Sequence, residues 1–354
     1  MHKEFKWNGV SFETAEDLIG FVDENFPELE TFIREWFGEN GKIQAMTSGS
    51  TGPPKTIELD RSHMINSARA TGKYFGLGPR SKALLCLPLG FIAGRMMLVR
   101  AMVLGWQLDS IEPTSEPLIP ENKAYDFSAM VPMQLFHVWN KLENIRTLIV
   151  GGGAVPASLL KKIQGVKTKI FATYGMTETI THVALRPLNE AAGFSEKNDV
   201  FTALPGVRFE VDQRQCLLIH APGISYEKII TNDLVTLFSD KTFQWIARAD
   251  HVINSGGVKL VPELIEKKFE NLIPNDFFVH GIQDMELGQK LVLIVQSDQT
   301  YEVLERFQNF QKRNKAIISK FEVPRKVFFT KKFVKTETGK INRKATLQQL
   351  LSED

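Results

Sequence analysis

Cysteine is almost missing from this chain. Its 354 residues contain only Cys86 and Cys216, each inside an apolar run (ALLCLPL and QCLLIH). That excludes a disulfide-stapled scaffold and predicts buried thiols in a reducing cytoplasm. Long hydrophobic runs are absent too. The longest, ALLCLPLGFIAG at 83–94, holds a proline and two glycines and stops at Arg95, too short to span a bilayer. The opening MHKEFKWNGVSFETAEDL lacks the apolar centre of a signal peptide. Neither sign of charge dominates: 43 Lys and Arg against 41 Asp and Glu leave +2. No global attraction to nucleic acid or membrane follows. There is no internal repeat, no low-complexity tract and no heptad pattern. The expectation is a soluble cytoplasmic protein, monomer or homodimer, with no nucleic-acid partner and no integral membrane segment.

Against these absences, 43% hydrophobic residues suffice for packed cores, and the length allows two domains. Residues 11–37 read as amphipathic helices, with SFETAEDLIGFV opening on a Ser/Thr-x-x-Glu-like cap. KALLCLPL, RTLIVGGG and KIFATYG read as buried strands that end in Gly or Pro turns, with helical stretches such as PASLLKKIQ between them. That pattern predicts βα units and a mainly parallel sheet, whose sites gather at the carboxyl ends of strands. From 201 to 249 alternating apolar residues predict a small barrel or curled antiparallel sheet. After Asp250 the texture is α+β. The fold class is therefore α/β: a large domain over 1–249 with a small β subdomain, then a small α+β domain over 250–354.

Several loops carry chemistry. Residues 47–55, TSGSTGPPK, combine Thr47, Ser48, Ser50 and Thr51 with Gly49, Gly52 and Lys55. The spacing fails the G-x-x-x-x-G-K-[ST] phosphate loop, yet glycine amides, hydroxyls and one cation are the parts of a phosphate cradle. Gly151, Gly152, Gly153 and Ala154 follow a strand and let a planar ring lie on bare backbone, or simply make a tight turn. In TYGMTET, Tyr174 offers an aromatic face and Glu178 a hard oxygen for Mg2+. A strand-end tyrosine also serves as core. Asp233 (ITND) has two oxygens suited to a ribose, and Arg248 and Asp250 lie in ARADHVINSGG. Lys340 follows Gly339 in KTETGKINRK. Residues 311–344 hold twelve Lys or Arg against Glu322 and Glu337, either a solvated lobe or a polyphosphate surface.

In this order the motifs resemble the adenylate-forming superfamily of acyl-CoA synthetases, peptide-synthetase adenylation domains and luciferase. The match runs from about residue 44 to 346. The resemblance implies ATP, Mg2+ and CoA as ligands of an AMP-forming carboxylate–CoA ligase with a mobile C-terminal domain. It assigns Thr47 to Thr51, Gly52 and Lys55 to the ATP polyphosphate. Gly151 to Ala154, Tyr174, Gly175 and Met176 would take the adenine, Thr177 the α-phosphate and Glu178 the metal. Asp233 would take the ribose hydroxyls, and Arg248 ribose and phosphate. Asp250 would be the hinge, Gly256 and Gly257 the pantetheine channel, and Lys340 the catalytic lysine.

Two departures accompany the resemblance. The phosphate loop begins at 47, so the N-terminal subdomain should be reduced. Phe91 stands where the superfamily usually has a histidine. Within the superfamily TETITHVALR, INSGGVKLVPELIE and FIAGRMMLVRA look most like the 2-succinylbenzoate–CoA ligases of menaquinone synthesis. A diacid needs donors for its second carboxylate, and Phe91, Arg95, Thr181 and His182 are the candidate acyl-pocket residues. His182 packing in the core and Arg95 paired with an acid are the plainer alternatives. Another acyl- or aryl-CoA ligase or adenylating enzyme, or an inactive nucleotide-binding homologue, remain the competing functional readings.

Overall fold

A computed structural model describes residues 1–46, 56–195, 199–270, 272–298, 305, 318–336 and 341–353. In chain order its strands are β1 (Lys6–Trp7), β2 (Val10–Ser11), β3 (Lys42–Met46), β4 (Thr56–Asp60), β5 (Lys82–Leu85), β6 (Gln107–Ser110), β7 (Tyr125–Met130), β8 (Ile145–Val150), β9 (Lys169–Gly175) and β10 (His182–Pro187). They continue with β11 (Phe201–Ala203), β12 (Arg208–Val211), β13 (Cys216–His220), β14 (Ile229–Ser239), β15 (Thr242–Arg248), β16 (Ile253–Ser255), β17 (Val258–Leu260), β18 (Phe277–Asp284), β19 (Gly288–Gln296) and β20 (Lys326–Thr330). The chain forms two compact units. The first holds residues 1–210, 218–230 and 237–244; the second holds 211–217, 231–236 and 245–354.

The first unit is organised by the parallel run β9-β8-β7-β5-β6-β1. Parallel strands must bury both faces, and the sequence supplies apolar residues for both. Leu84, Met130, Leu148, Val150 and Ile170 point to a core closed by Leu135, Val138, Leu159 and Ile163 from the helices Pro132–Val138 and Ala157–Ile163. Phe127 and Phe171 contact Phe75, and Phe127 also contacts Trp106. Antiparallel β10 and β11 extend the sheet beyond β9.

At the other edge β1 pairs with β6 and turns back as β2. Trp7, Phe12, Phe21 and Phe26 stack into an aromatic cluster over this edge. The neighbouring helix Ala15–Asn25 starts as the sequence suggests, with Asp17 in place of Glu: Thr14 and Asp17 exchange hydrogen bonds in a capping box.

Helix Ile92–Leu104 lies against the segment leaving β5. A Cβ added to Gly94 would sit 2.2 Å from the Pro88 carbonyl oxygen, so this approach requires glycine. The helix packs on Arg61–Phe75, where Gly72 lets Leu104 come close.

In the second unit β17-β16-β19-β18, with β20 beside β19, form a five-stranded sheet. Gly256 and Gly257, at φ 57 and 80, make the two-residue turn between β16 and β17, the conformation of a type I′ hairpin. Helix Pro262–Phe269 is tied to the C-terminal helix Arg343–Glu353 by the bidentate Arg343–Glu266 pair at 2.7 and 2.8 Å. Burial pushes the Glu266 carboxyl up, against the pull of Arg343.

Gly94→Ala should test the tight crossing. Overpacking against backbone typically costs about 1–3 kcal/mol, so the urea midpoint should fall, and fall more than for Gly90→Ala, whose Cβ meets nothing within 4 Å.

Candidate active site at the carboxyl ends of the strands

The chemistry-bearing loops of the first unit leave the carboxyl ends of β5, β7, β8 and β9, where parallel α/β sheets present their sites. Residues 47–55, with Thr47, Ser48, Gly49, Ser50, Thr51, Gly52 and Lys55, lie outside the described residues. Met46 pairs with Thr56, so the two ends of that segment are neighbours.

Gly151 to Ala154 run from β8 across the ends of β7 and β9. The Gly151 amide donates to the Met130 carbonyl at 3.0 Å. A Cβ on Gly151 would lie 2.5 Å from Thr173 Oγ1, and Gly152 has φ +86. The backbone of Gly152 to Ala154 is left exposed, a bare ledge that fits the flat face of a base. Tyr174 departs from the stacking expectation. It is 9% exposed and its ring packs against Phe201 and Phe243 at 5.7 and 5.0 Å. The core reading of this strand-end tyrosine describes that side of the ring.

After Gly175 the chain makes a 3-10 turn over Thr177–Thr179 that exposes the Glu178 carboxylate. No group of three or more possible metal ligands exists among the described residues. Mg2+ characteristically takes one or two carboxylates and completes its shell with substrate phosphates and water. A lone exposed glutamate fits that habit.

The turn is tightly bound. The Thr179 hydroxyl accepts from the Met176 amide at 2.8 Å and lies 2.9 and 2.5 Å from the Met176 and Thr181 carbonyl oxygens. Ile180 follows at φ 65, ψ −56, and the Thr181 amide donates to the Thr179 carbonyl at 2.7 Å. This is a γ-turn of the rare strained hand. A β-branched residue at positive φ is an outlier that costs about 1–3 kcal/mol.

Beyond that turn lies a buried polar cluster. Arg100, 2% exposed, donates from Nη2 to Thr181 Oγ1 at 2.9 Å and from Nε to Thr71 Oγ1 at 3.3 Å. No carboxylate of the described residues pairs with it. Burial lowers its pKa to about 10, so it remains a cation at neutral pH.

The Thr181 oxygen also accepts the short bond from the His182 amide, so its own proton is left for His182 Nδ1, 2.8 Å away. That places the imidazole proton on Nε2. His182 is 3% exposed; burial, reinforced by the Arg100 charge, holds its pKa well below the usual histidine value. Among the described residues its Nε2 has no partner, and neither does the buried hydroxyl of Ser67, one helical turn before Thr71. A buried cation without a carboxylate, and an imidazole N–H and a hydroxyl without partners among the described residues, are groups suited to an anionic oxygen.

Arg95 belongs to none of this. It donates to the carbonyls of Leu89 and Gln44 at 3.1 and 3.0 Å and lies 5.2 Å over the Phe32 ring. Its hydrogen bonds go to backbone, with the Glu35 charge also acting on it, and the buried cation joined to Thr181 is Arg100. Phe91 occupies the N-cap of Ile92–Leu104 and its backbone amide donates to the Pro88 carbonyl.

In the second unit Arg248 holds Asp250 through Nε and Nη2, both at 3.0 Å, and its Nη1 lies 3.6 Å from Asp233 Oδ1. Trp245 Nε1 donates to the same Asp233 oxygen at 3.1 Å. Three residues singled out by motif thus form one network, with Trp245 added. Lys340 lies outside the described residues.

Comparisons with known proteins bear on the family of the chain. Residues 45–223 match the model of the AMP-binding enzyme family. A crystal structure of an acyl-CoA synthetase (AMP-forming)/AMP-acid ligase II-like protein from Dyadobacter fermentans is 38% identical, with TM-score 0.61, covering 95% of this chain and 99% of that one. The 2-succinylbenzoate–CoA ligase of Lactococcus lactis is 24% identical over 84% of this chain and 69% of its own length. The O-succinylbenzoate CoA synthetase of Bacillus subtilis, solved with ATP and magnesium ion, has TM-score 0.69 at 18% identity, covering 86% of this chain and 69% of that one. The chain belongs to the AMP-binding enzyme family, the adenylate-forming superfamily. Among the described residues no helix is long and apolar enough to cross a membrane.

The buried neutral histidine carries a pH signature. In the unfolded chain His182 binds a proton below about pH 6.5, while the folded state does not, so stability must fall as pH drops through that value. Between pH 6.5 and 5.5 wild type should lose about 1 kcal/mol more than His182→Asn. Urea titrations of both proteins at the two pH values measure the difference.

Proposed function

We propose that this chain is an AMP-forming acid–CoA ligase whose acid is 2-succinylbenzoate. The observation that carries the choice of acid is the Arg100 cation, buried without a carboxylate partner and joined through Thr181 to a histidine that presents an unpaired N–H. A monocarboxylic acid spends its only carboxylate on the reaction. A diacid has a second one, and Arg100 with His182 Nε2 and Ser67 Oγ is where it would be neutralised. The names of the Lactococcus and Bacillus relatives support the same acid.

In this reading the reacting carboxylate oxygen attacks the α-phosphorus of ATP. A new P–O bond forms, the bond to the bridging oxygen breaks, and pyrophosphate leaves. The thiolate of CoA then attacks the acyl carbon and AMP departs, giving 2-succinylbenzoyl-CoA, an intermediate of menaquinone synthesis. Gly151 to Ala154 carry the adenine and Thr177 meets the α-phosphate. Glu178 would hold Mg2+, which would supply positive charge to the phosphates. Asp233 and Arg248 take the ribose. Thr47 to Thr51, Gly52 and Lys55 grip the polyphosphate. Lys340 bridges the two anions during adenylation, where one such donor is worth about 3 kcal/mol. Residues 250–354 are the domain that turns about Asp250 between the two half-reactions, and Gly256 and Gly257 border the path of the pantetheine.

The deciding assay supplies ATP, Mg2+ and CoA with 2-succinylbenzoate, benzoate, succinate and fatty acids, and identifies products by mass spectrometry. Only the aromatic diacid should give an acyl-CoA with AMP; turnover of a different acid overturns the substrate. Arg100→Met should raise the KM for the diacid about 10- to 100-fold, the worth of one hydrogen bond to a charged group. Arg95→Met should leave that KM within about twofold, since Arg95 bonds backbone carbonyls.

A further inference from the structure

The segment from Tyr174 to His182 connects two chemistries within a few residues. Thr177 and Glu178 stand on the nucleotide side, and Thr181 and His182 on the side of Arg100. Between them Ile180 is 1% exposed and forced into the strained γ-turn. Nothing in the sequence requires it, because glycine would adopt φ 65 freely. The surroundings over-determine the turn instead.

The Thr179 hydroxyl binds both flanks, at Met176 and at the Thr181 carbonyl. Behind the turn that carbonyl lies against Gly175, where a Cβ would come within 2.1 Å. The β9–β10 pairing shifts register between His182 and Ala184, absorbing the extra residue. Strained buried backbone with this much support marks positions where geometry, rather than stability, has been kept.

We propose that Ile180 is a positioning residue: its packing holds a γ-turn that fixes the distance between Thr177 and Glu178 on one side and the Thr181–Arg100 pair on the other. The proposal rests on the assignment of those two sides given above. The reacting carboxylate must approach the α-phosphorus within a fraction of an ångström, and the spacing of the groups that hold acid and nucleotide sets that approach. Ile180 itself touches neither ligand.

The test compares Ile180→Ala with Ile180→Gly. Both remove the buried side chain beyond Cβ, but only glycine is at ease at positive φ. Without the packing, alanine should escape the strained turn, whereas glycine can keep it. In acid-dependent exchange of pyrophosphate into ATP, Ile180→Ala should lose about tenfold or more in kcat, about 1.4 kcal/mol. Ile180→Gly should stay within about threefold of wild type. The dissociation constants of ATP and acid, read by calorimetry, should change little in both. The usual helix-and-strand order, alanine better than glycine, would thus be inverted.

Wild-type kcat in both variants would make Ile180 a packing residue alone, and an equal loss in both would make it a substrate contact; either result overturns the inference. If neither variant folds, Thr179→Val against Thr179→Ser asks the same question. Valine, which removes the hydroxyl at constant size, should lower kcat with affinities intact, and serine should not. An unchanged kcat for Thr179→Val would defeat the proposal. The series is run on whichever acid the wild-type enzyme adenylates, so a wrong acid and a wrong role for Ile180 show up as separate failures.

Discussion

A parallel sheet can expose only its ends. In the first unit both faces of β9-β8-β7-β5-β6-β1 are buried, one under Leu135, Val138, Leu159 and Ile163, the other under Phe75 and Trp106. Every functional group must therefore be delivered by a loop at a strand terminus or by a helix end. The glycine ledge after β8, the Thr177–Glu178 turn after β9 and the Leu87–Phe91 segment after β5 obey this constraint. Arg100 is the exception. It reaches the site from the middle of a helix, through the side of Thr181, and is buried in consequence.

That burial has an electrostatic purpose in the proposed chemistry. A cation removed from water interacts strongly with any anion brought beside it, because little solvent remains to screen the pair. It also penalises the protein while alone, which is the reason the hydroxyls of Thr71 and Thr181 both turn their oxygens to it. The Thr181 hydroxyl then has no choice of direction. With both lone pairs engaged it donates to His182 Nδ1, which fixes the tautomer and leaves the single imidazole N–H proton on the buried Nε2. One buried charge thus orders three side chains around it.

The sequence announced the loops more clearly than the pocket. Glycine, hydroxyl and carboxylate clusters such as GGGA and YGMTE are legible because their composition is incompatible with regular structure, so their place at strand ends follows from the pattern of apolar runs. The capping box at Thr14 was legible because it is local, and the parallel sheet because strands buried on both faces read as continuous apolar runs. The buried cluster around Arg100 was not. Arg95 and Arg100 both interrupt the same apolar helix, and five residues rotate a helix by about 140° beyond one full turn. One therefore turns to backbone carbonyls near the helix start, and the other to the helix Arg61–Phe75 and β10.

A position near the helix start can be satisfied by the preceding loop, and a mid-helix cation cannot. That difference was the available signal. Tyr174 shows the complementary limit: an aromatic face can stack on a ligand or on Phe201 and Phe243, and from the residue alone core packing is the commoner outcome.

Ile180 shows why some residues of a site escape sequence reasoning altogether. A strained γ-turn is expected at glycine, so an isoleucine there reads as ordinary core. Only the backbone reveals the conflict between residue and conformation. Conflicts of this kind survive where local comfort is subordinate to placement. Here the turn is the shortest covalent path between the Glu178 carboxylate and the Thr181 hydroxyl. An enzyme that must bring two anions together gains from a rigid path of that length. A flexible one would let each ligand settle on its own side, with the reacting atoms apart and the electrostatic help of Arg100 confined to the ground state.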